Sequence, residues 1–282
     1  MTDRKVSSQD DEMTVITSAA NPLVKALKSL ERKKGRKEQN AFLAEGARLI
    51  GEALAHGWEP VNIICGPEGR LRDGNAALID EAMAKGARLT LVNNRLLGTI
   101  ARKENPQTLL ASFRPKYRSL SELSKAKLQQ GTYVALYQVR DPGNLGTIIR
   151  TSDFSGVKGV IQVGDCCDLY SLESVRASMG SLFAVPVYFA EEDEFLGWKA
   201  ATNLNMIAAS MNGTVAHHEA PYGPQPLILM GNEQSGLPAH IENACDILSR
   251  IPMREGADSL NLGIATGLMI YAALGARGYK IS

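Results

Sequence analysis

Two polar, glycine-bearing loops near the end of the chain carry residue types suited to holding a ligand. The first reads Gly-Asn-Glu-Gln-Ser-Gly-Leu-Pro from Gly231 and follows the apolar run 227–230. The second lies between Ile251 and Asn261 and follows the apolar run 247–251. Glycine lets main-chain amides approach a ligand closely, because it carries no side chain. In open α/β sheets, ligands bind at the carboxyl ends of the strands, where these loops are expected to lie.

A phosphate-binding loop is the first chemistry to test. Gly231 and Gly236 have the G-x-x-x-x-G spacing of a P-loop, which continues with Lys and then Ser or Thr. Here Leu237 and Pro238 follow, so the ammonium group and the magnesium ligand are both missing. The dinucleotide pattern G-x-G-x-x-G is absent from the sequence. The loops therefore argue against a nucleoside triphosphate.

Three blocks in order give a more specific interpretation. The block Asn144-Leu-Gly-Thr-Ile-Ile-Arg150, the Gly231 loop and the segment Ile251-Pro-Met followed by Ser-Leu-Asn-Leu-Gly-Ile-Ala-Thr resemble motifs 1, 2 and 3 of the SpoU/TrmH family of RNA ribose 2′-O-methyltransferases. The resemblance covers roughly residues 131–275, and a looser one to the family's accessory RNA-binding domain covers 14–112. It implies S-adenosylmethionine (SAM) as cofactor, with S-adenosylhomocysteine as product, and no metal. Five positions match cofactor contacts in the family: Met230, Gly231, Ile251, Met253 and Leu260.

Methylation of a ribose 2′-hydroxyl needs an exposed methyl donor, an aligned hydroxyl and loss of the hydroxyl proton. By the resemblance, Arg150 is a catalytic residue. A guanidinium stays protonated, so we expect it to grip the substrate phosphate and stabilise the developing alkoxide rather than act as a base. Glu233 is expected to orient Arg150. Asn144 and Asn261 are expected to position the ribose or the loops, and Ser259 to cap the last helix.

Composition bounds the rest of the interpretation. The chain has 282 residues, of which 44% are hydrophobic and 22% charged, as in ordinary globular proteins. No apolar run approaches the ~20 residues needed to cross a bilayer, and residues 1–13 are polar, which predicts a disordered tail rather than a secretion signal. The four cysteines show no C-x-x-C spacing, which favours reduced thiols in a cytoplasm.

Basic character is concentrated in residues 21–40, where seven Lys and Arg face two Glu for a net charge of +5. Such a cluster attracts phosphates, although a solvated surface helix is the alternative. Arg48 lies in a Phe-Leu-Ala-Glu-Gly-Ala-Arg segment that matches the family, and Arg176 is either a substrate contact or one half of a helix-surface pair. The predicted RNA-binding residues are Arg32, Lys33, Lys34, Arg36, Lys37, Arg48 and Arg176.

The elements that must position these residues fall into two domains. Residues 14–112 predict a small α/β domain, resembling the ribosomal protein L30e fold, with helices starting at Pro22 and over 42–54, 76–85 and 94–100, and strands over 61–65 and 88–92. Residues 113–130 are predicted to form a linker. Residues 131–282 alternate six strand-like runs with helical patterns, which predicts a mainly parallel sheet covered on both faces: 132–139, 157–163, 184–189, 204–209, 227–230 and 247–251.

The last predicted helix, Leu260 to Ala276, is apolar on nearly every side. Such a helix is either buried in its own domain or shared with a second subunit. The family resemblance favours a homodimer and also implies a C-terminal trefoil knot, which periodicity alone does not show.

We therefore expect a SAM-dependent RNA (ribose-2′-O)-methyltransferase that acts on rRNA or tRNA in the cytoplasm, away from the membrane. One alternative is a non-catalytic RNA-binding or ribosome-assembly factor on the same fold, against which the intact motif residues argue. Another is a SAM enzyme with a small-molecule substrate, against which the basic segment argues.

Overall fold

The computed structural model describes residues 15–72, 74–128, 131–202, 204–254, 256 and 259–281, with the main chain only at 127. The predicted disordered tail, 1–13, lies outside the described residues. The chain divides into two compact units, Met1–Arg114 and Pro115–Ser282. No helix in the described ranges is both long enough and apolar enough to cross a membrane.

The first unit is built on a four-stranded sheet in the order β1-β4-β2-β3. The β2–β3 pair is parallel and the others are antiparallel. Its strands are β1 (Phe42–Glu45), β2 (Pro60–Cys65), β3 (Arg88–Leu91) and β4 (Leu109–Phe113). Its helices are α1 (Pro22–Ser29), α2 (Lys33–Gln39), α3 (Ala47–Ala55), α4 (Pro67–Arg70), α5 (Asn75–Ala84) and α6 (Asn94–Ala101).

The single helix predicted from Phe42 to Leu54 is wrong in its first turn. Phe42–Glu45 is a strand, buried at all four positions and paired antiparallel with β4. Gly46 follows with a φ of 98°, a left-handed conformation that an L-residue rarely adopts, and only then does α3 begin. The apolar pattern over residues 42–54 therefore covers one strand and one helix, and Gly46 separates them.

The second unit contains an eight-stranded sheet whose pairings are all parallel, in the order β10-β12-β9-β11-β6-β7-β8-β5. Its strands are β5 (Arg118–Ser119), β6 (Tyr133–Tyr137), β7 (Gly159–Val163), β8 (Val187–Ala190), β9 (Asn205–Ala209), β10 (Val215–Ala216), β11 (Pro226–Met230) and β12 (Ile247–Arg250). Its α-helices are α7 (Pro142–Phe154), α8 (Leu172–Ala177), α9 (Glu192–Ala201), α10 (Ala239–Asn243) and α11 (Leu262–Gly275).

All six predicted strands of this unit are confirmed, as β6, β7, β8, β9, β11 and β12. Strands β6, β7 and β11 are buried at every residue, the pattern of a parallel sheet covered on both faces. Part of the predicted linker belongs to this unit. Residues 118–119 pair with β8 as an edge strand, and the buried side chains of Leu120 and Leu123 join its core.

Helix α11 is apolar all round but only one side of it is covered. It packs against α7 and β11, burying Met269, Ile270, Ala273 and Leu274. On the other side, large apolar side chains are open to solvent: Ile264 is 58% exposed, Leu268 39% and Tyr271 45%. Phe154, the last residue of α7, is 58% exposed as well.

Candidate functional site

Three loops leave the same edge of the sheet, because the strands that precede them are parallel. We call residues 138–141, after β6, loop 1; residues 231–238, after β11, loop 2; and residues 251–261, after β12, loop 3. Positions 255, 257 and 258 of loop 3 are outside the described residues. The candidate site lies at this edge of the sheet, against loops 2 and 3.

Loop 2 is folded tightly on itself. Asn232 and Gly236 exchange main-chain hydrogen bonds of 3.1 and 2.9 Å, and the Asn232 side chain accepts bonds from the amides of Gln234 and Ser235. A Cβ added at Gly231 would lie 2.6 Å from the carbonyl carbon of Gly236, so this position tolerates only glycine without movement of the loop. The Asn232 amide also donates to the carbonyl of Gln138 at 2.7 Å, which attaches loop 2 to loop 1.

Glu233 fastens loop 1 through its carboxylate. Its two oxygens accept hydrogen bonds from the main-chain N–H groups of Arg140 at 3.1 Å and Asp141 at 3.2 Å, and from the Asn144 amide at 3.2 Å. Burial alone would raise the pKa of this carboxyl group. These hydrogen bonds outweigh that effect and leave the pKa below its ordinary value.

Asn144 and Asn261 extend this network to loop 3. The Asn261 amide donates to the side-chain oxygen of Asn144 at 2.8 Å, while its own oxygen caps α11 by accepting from the amide of Ile264 at 3.2 Å. Asp141 caps α7 by accepting from the amide of Asn144 at 2.6 Å. A continuous chain of hydrogen bonds thus runs from Glu233 through Asn144 and Asn261 to the first turn of α11.

A cavity of about 490 Å³ lies against loops 2 and 3. That volume is in the range of small-molecule sites. Seven residues predicted from the sequence as cofactor-binding or catalytic line it together: Met230, Gly231, Glu233, Ile251, Met253, Ser259 and Leu260.

Sequence reasoning missed one wall of the cavity, formed by Ser210, Asn212 and Glu242. Ser210 and Asn212 follow β9, and both donate hydrogen bonds to the carboxylate of Glu242, the one from Asn212 being 3.0 Å long. The signal was available. Strand β9 was predicted, and the carboxyl end of any strand in a parallel sheet is a place to look for ligand contacts.

Two predicted roles do not fit the geometry. Ser259 was expected to cap the last helix, but the cap is Asn261, and Ser259 lies in the cavity wall instead. Glu233 was expected to orient Arg150. Within the described ranges no hydrogen bond or ion pair joins these two side chains, because the Glu233 carboxylate is directed to loop 1.

Arg150 itself is exposed on α7 and is not part of the cavity lining. The carbon of its guanidinium group lies 6.0 Å from the centre of the Phe154 ring. This arrangement places Arg150 beside the exposed Phe154 of α7, and no hydrogen bond or ion pair joins it to Glu233 in the part of the chain that the structure describes.

The predicted RNA-binding residues divide into exposed and buried ones. Arg32, Lys33, Lys34, Lys37 and Arg48 are exposed in the first unit, and Arg176 is half-buried on α8. Arg36 is only 5% exposed, and its guanidinium donates to the carbonyls of Leu30 at 2.8 Å and Glu31 at 2.7 Å. The expectation that Arg36 faces RNA does not fit this burial, because its charge is used to satisfy carbonyl groups after α1.

Comparison with known proteins matches both units of the chain. The model of the SpoU rRNA methylase family matches residues 131–271, and that of an MRM3-like substrate-binding domain matches residues 21–111. A tRNA/rRNA methyltransferase of Synechocystis, described as uncharacterized, is 33% identical, with 93% of this chain and 94% of the relative aligned. The 23S rRNA (guanosine(2553)-2′-O)-methyltransferase of Bacillus subtilis is 27% identical, with 92% and 98% aligned.

A solved structure agrees with these relatives. The AdoMet-bound rRNA methyltransferase from Sinorhizobium meliloti is 40% identical and superposes with a TM-score of 0.85, covering 93% of this chain and 97% of that one. The match extends over both units, and the motif loops fall inside the matched family region. The chain therefore belongs to the SpoU rRNA methylase family.

Proposed function

We propose that this protein transfers a methyl group from SAM to a ribose 2′-hydroxyl of ribosomal RNA. The observation that carries the proposal is the cavity of about 490 Å³ bounded by two of the three loops that the Glu233–Asn144–Asn261 network ties together. A relative named as an rRNA ribose methyltransferase and an AdoMet-bound structural neighbour support it.

The residues of the cavity fit SAM. Met230, Ile251 and Leu260 offer an apolar surface for a purine ring, and the main chain of loops 2 and 3 offers hydrogen-bonding groups. Two carboxylates, Glu233 and Glu242, lie in the wall, and none of the described residues that line it is Lys or Arg. This charge suits a cationic sulfonium and opposes a phosphate-bearing nucleotide. When bound, SAM supplies the methyl group as an electrophile.

The chain's own residues position the substrate and the loops. Glu233 and Asn144 hold loop 1 against loop 2, and Asn261 joins loop 3 to them. Arg150 is the proposed cation that grips the RNA phosphate and stabilises the negative charge developing on the ribose oxygen. Since Arg150 does not line the cavity of its own chain, we assign this role to the partner subunit's Arg150 in a homodimer.

The exposed apolar face of α7 and α11 supports the homodimer. Phe154, Ile264, Leu268 and Tyr271 are all at least 39% exposed, and leaving several large apolar side chains in water is costly, since burying one is worth ~1.5–3 kcal/mol. A two-fold axis would cover the same patch on both copies. Arg150 stands beside this patch, which is the position from which it reaches a neighbouring site.

RNA contacts in the first unit are assigned to Arg32, Lys33, Lys34, Lys37 and Arg48, whose exposed side chains leave their charges accessible.

Three further features belong to the proposal. The C-terminal trefoil knot is supported by β12, which lies between β9 and β10, and by the return of α11 to α7 and β11. A cytoplasmic location is supported by four cysteines without disulfides. The proposed domain limits at 112 and 131 are supported by the matched family regions, 21–111 and 131–271, although residues 118–123 of the predicted linker pack with the second unit.

The test is to incubate the purified protein with radiolabelled SAM and ribosomal RNA from cells that lack the gene, and then to map 2′-O-methyl groups. We expect label at a defined nucleotide in wild-type reactions and none with RNA that already carries the modification. RNA that binds tightly but never acquires a methyl group would refute the enzyme and leave the RNA-binding or assembly factor as the function.

A further inference from the structure

Tyr117 stands at the edge of the second unit's sheet with 62% of its surface exposed. Its ring is held edge-on against the buried Tyr170, with ring centres 5.4 Å apart and planes at 87°. The ring of Phe189, on β8, lies 5.6 Å away on another side. Such contacts fix the orientation of a ring. Tyr117 therefore presents an exposed aromatic surface that is held in one orientation.

The hydroxyl group of Tyr170 holds the main chain of the segment that carries Tyr117. The hydroxyl of Tyr170 donates to the carbonyl of Lys116 at 2.5 Å and accepts from the amide of the same residue at 2.9 Å. Burial raises the pKa of Tyr170, which keeps the phenol protonated and able to donate. Just beyond Tyr117, the pairing of Arg118 with Tyr188 fixes the main chain to β8.

Two cations flank the ring. Lys116 and Arg118 are adjacent to Tyr117 in sequence, and burial, with the neighbouring positive charge of Arg118, lowers the pKa of Lys116. Two carboxylates of this edge, Glu122 and Glu194, accept hydrogen bonds from Ser119, and the charges of Asp168 and Arg118 both act on the Tyr170 hydroxyl. Like charges held together favour an anionic partner.

The aromatic surface is connected to the proposed active site by one loop, residues 164–171. At one end, the amide of Cys167 donates to the carbonyl of Val139 at 2.7 Å, and Asp165 pairs with the guanidinium of Arg140 at 2.5 Å. Val139 and Arg140 belong to loop 1, which Glu233 holds. At the other end is Tyr170, on which Tyr117 rests.

We propose that Lys116, Tyr117 and Arg118 form a platform on which an unpaired base of the substrate RNA stacks while the two cations contact its phosphates. The proposal rests on the proposed RNA methyltransferase function and specifies it. Aromatic side chains stack on any exposed base, whereas bases in a duplex are stacked on one another and are not available. The platform therefore selects a single-stranded or unstacked nucleotide of the substrate RNA.

The test uses the full-length protein and a short single-stranded oligoribonucleotide containing 2-aminopurine, with a blunt RNA duplex of the same composition as comparison. Wild-type protein is expected to quench 2-aminopurine and to prefer the single strand. Tyr117→Leu should weaken single-strand binding about 5- to 150-fold, the value of one base–aromatic stack. Tyr117→Trp should keep it. Arg118→Gln should flatten the dependence of log K on log salt by about 0.7, as for one phosphate contact on a single strand.

Matched controls are Tyr279→Leu, at another exposed tyrosine of the same unit, and Lys125→Gln, at an exposed lysine; neither should change binding. Single-strand affinity within about twofold of wild type in a folded Tyr117→Leu protein would overturn the platform. So would unquenched 2-aminopurine in the wild-type complex, a result that requires no variant. Methyl transfer is measured separately. If wild-type protein methylates rRNA but Tyr117→Leu does not weaken single-strand binding, the platform is refuted and the proposed function is not. If wild-type protein binds the strand and quenches 2-aminopurine but never methylates rRNA, the proposed function is refuted and the platform is not.

Discussion

Replacing Asn144 by alanine removes the two side-chain hydrogen bonds by which this residue, in the first turn of α7, contacts loops 2 and 3. One runs to the Glu233 carboxylate at 3.2 Å and the other comes from Asn261 at 2.8 Å. A bond to a charged group is worth about 1.5–3 kcal/mol and one between neutral groups about 0.5–1.5 kcal/mol. Because Asn144 is half-buried and Asn261 exposed, water replaces part of the loss. We therefore take the lower end, about 2 kcal/mol, which is a roughly 30-fold fall in kcat/KM for methyl transfer.

Helix α7 should survive this substitution, because its cap is the side chain of Asp141 and not that of Asn144. The assay is kcat/KM with rRNA and SAM, together with circular dichroism, for Asn144→Ala and for Asn243→Ala, an exposed asparagine on α10 that serves as control. The double variant with Asn261→Ala should be less than additive, since either change removes the bond between them. Wild-type kcat/KM in Asn144→Ala, or full additivity in the pair, would refute the network as the support of the site.

Four other outcomes are expected. Arg150→Ala should lower the rate of methyl transfer by on the order of 10²–10³ while SAM affinity by calorimetry stays unchanged, and near-normal single-turnover rates would contradict its role. Leu268→Arg should convert a dimer to a monomer in sedimentation, whereas Ala276→Arg, at an exposed residue just after α11, should not; a wild-type monomer that is fully active would refute the dimer. Joint replacement of Arg32, Lys33, Lys34 and Lys37 by Gln should weaken RNA binding and flatten the salt slope by about 0.7–0.9 per lost contact, while Arg36→Gln should instead lower the melting temperature. The Glu233 carboxyl group has a folded-state pKa below its ordinary value of 4.5. It should therefore stabilise the fold above about that pH, and this contribution should be lost as the pH falls through the folded-state pKa. An equal difference in unfolding free energy between wild type and Glu233→Gln at neutral and acid pH would contradict this.

The sheet of the second unit was predictable because its strands are buried on both faces. Runs such as 227–230 and 132–139 read as continuous apolar stretches bounded by polar loops, and no competing period obscures them. The same logic places the residues around Gly231 and Ile251 at one edge of the sheet. These residues do line a common cavity, since parallel strands bring their carboxyl ends together.

What sequence could not supply is the pairing of side chains distant along the chain. Phe42–Glu45 becomes a strand because β4 offers it a partner many residues later. Arg36 is buried, and its guanidinium group donates hydrogen bonds to the main-chain carbonyls of Leu30 and Glu31, which follow α1. Ser259 and Asn261 are both good capping residues, and only the path of loop 3 decides between them.

Asn261 has a consequence for how the second unit opens. The Asn261 side chain both caps α11 and donates to Asn144 on α7, so one residue joins the first turns of the two helices. Any fluctuation that displaces this side chain removes the cap of α11 and the bond to Asn144 at the same moment. The amides of Ile264 and of the residues around Asn144 should then exchange with deuterium as one cooperative unit, with a shared opening free energy, although over a hundred residues separate them in the chain.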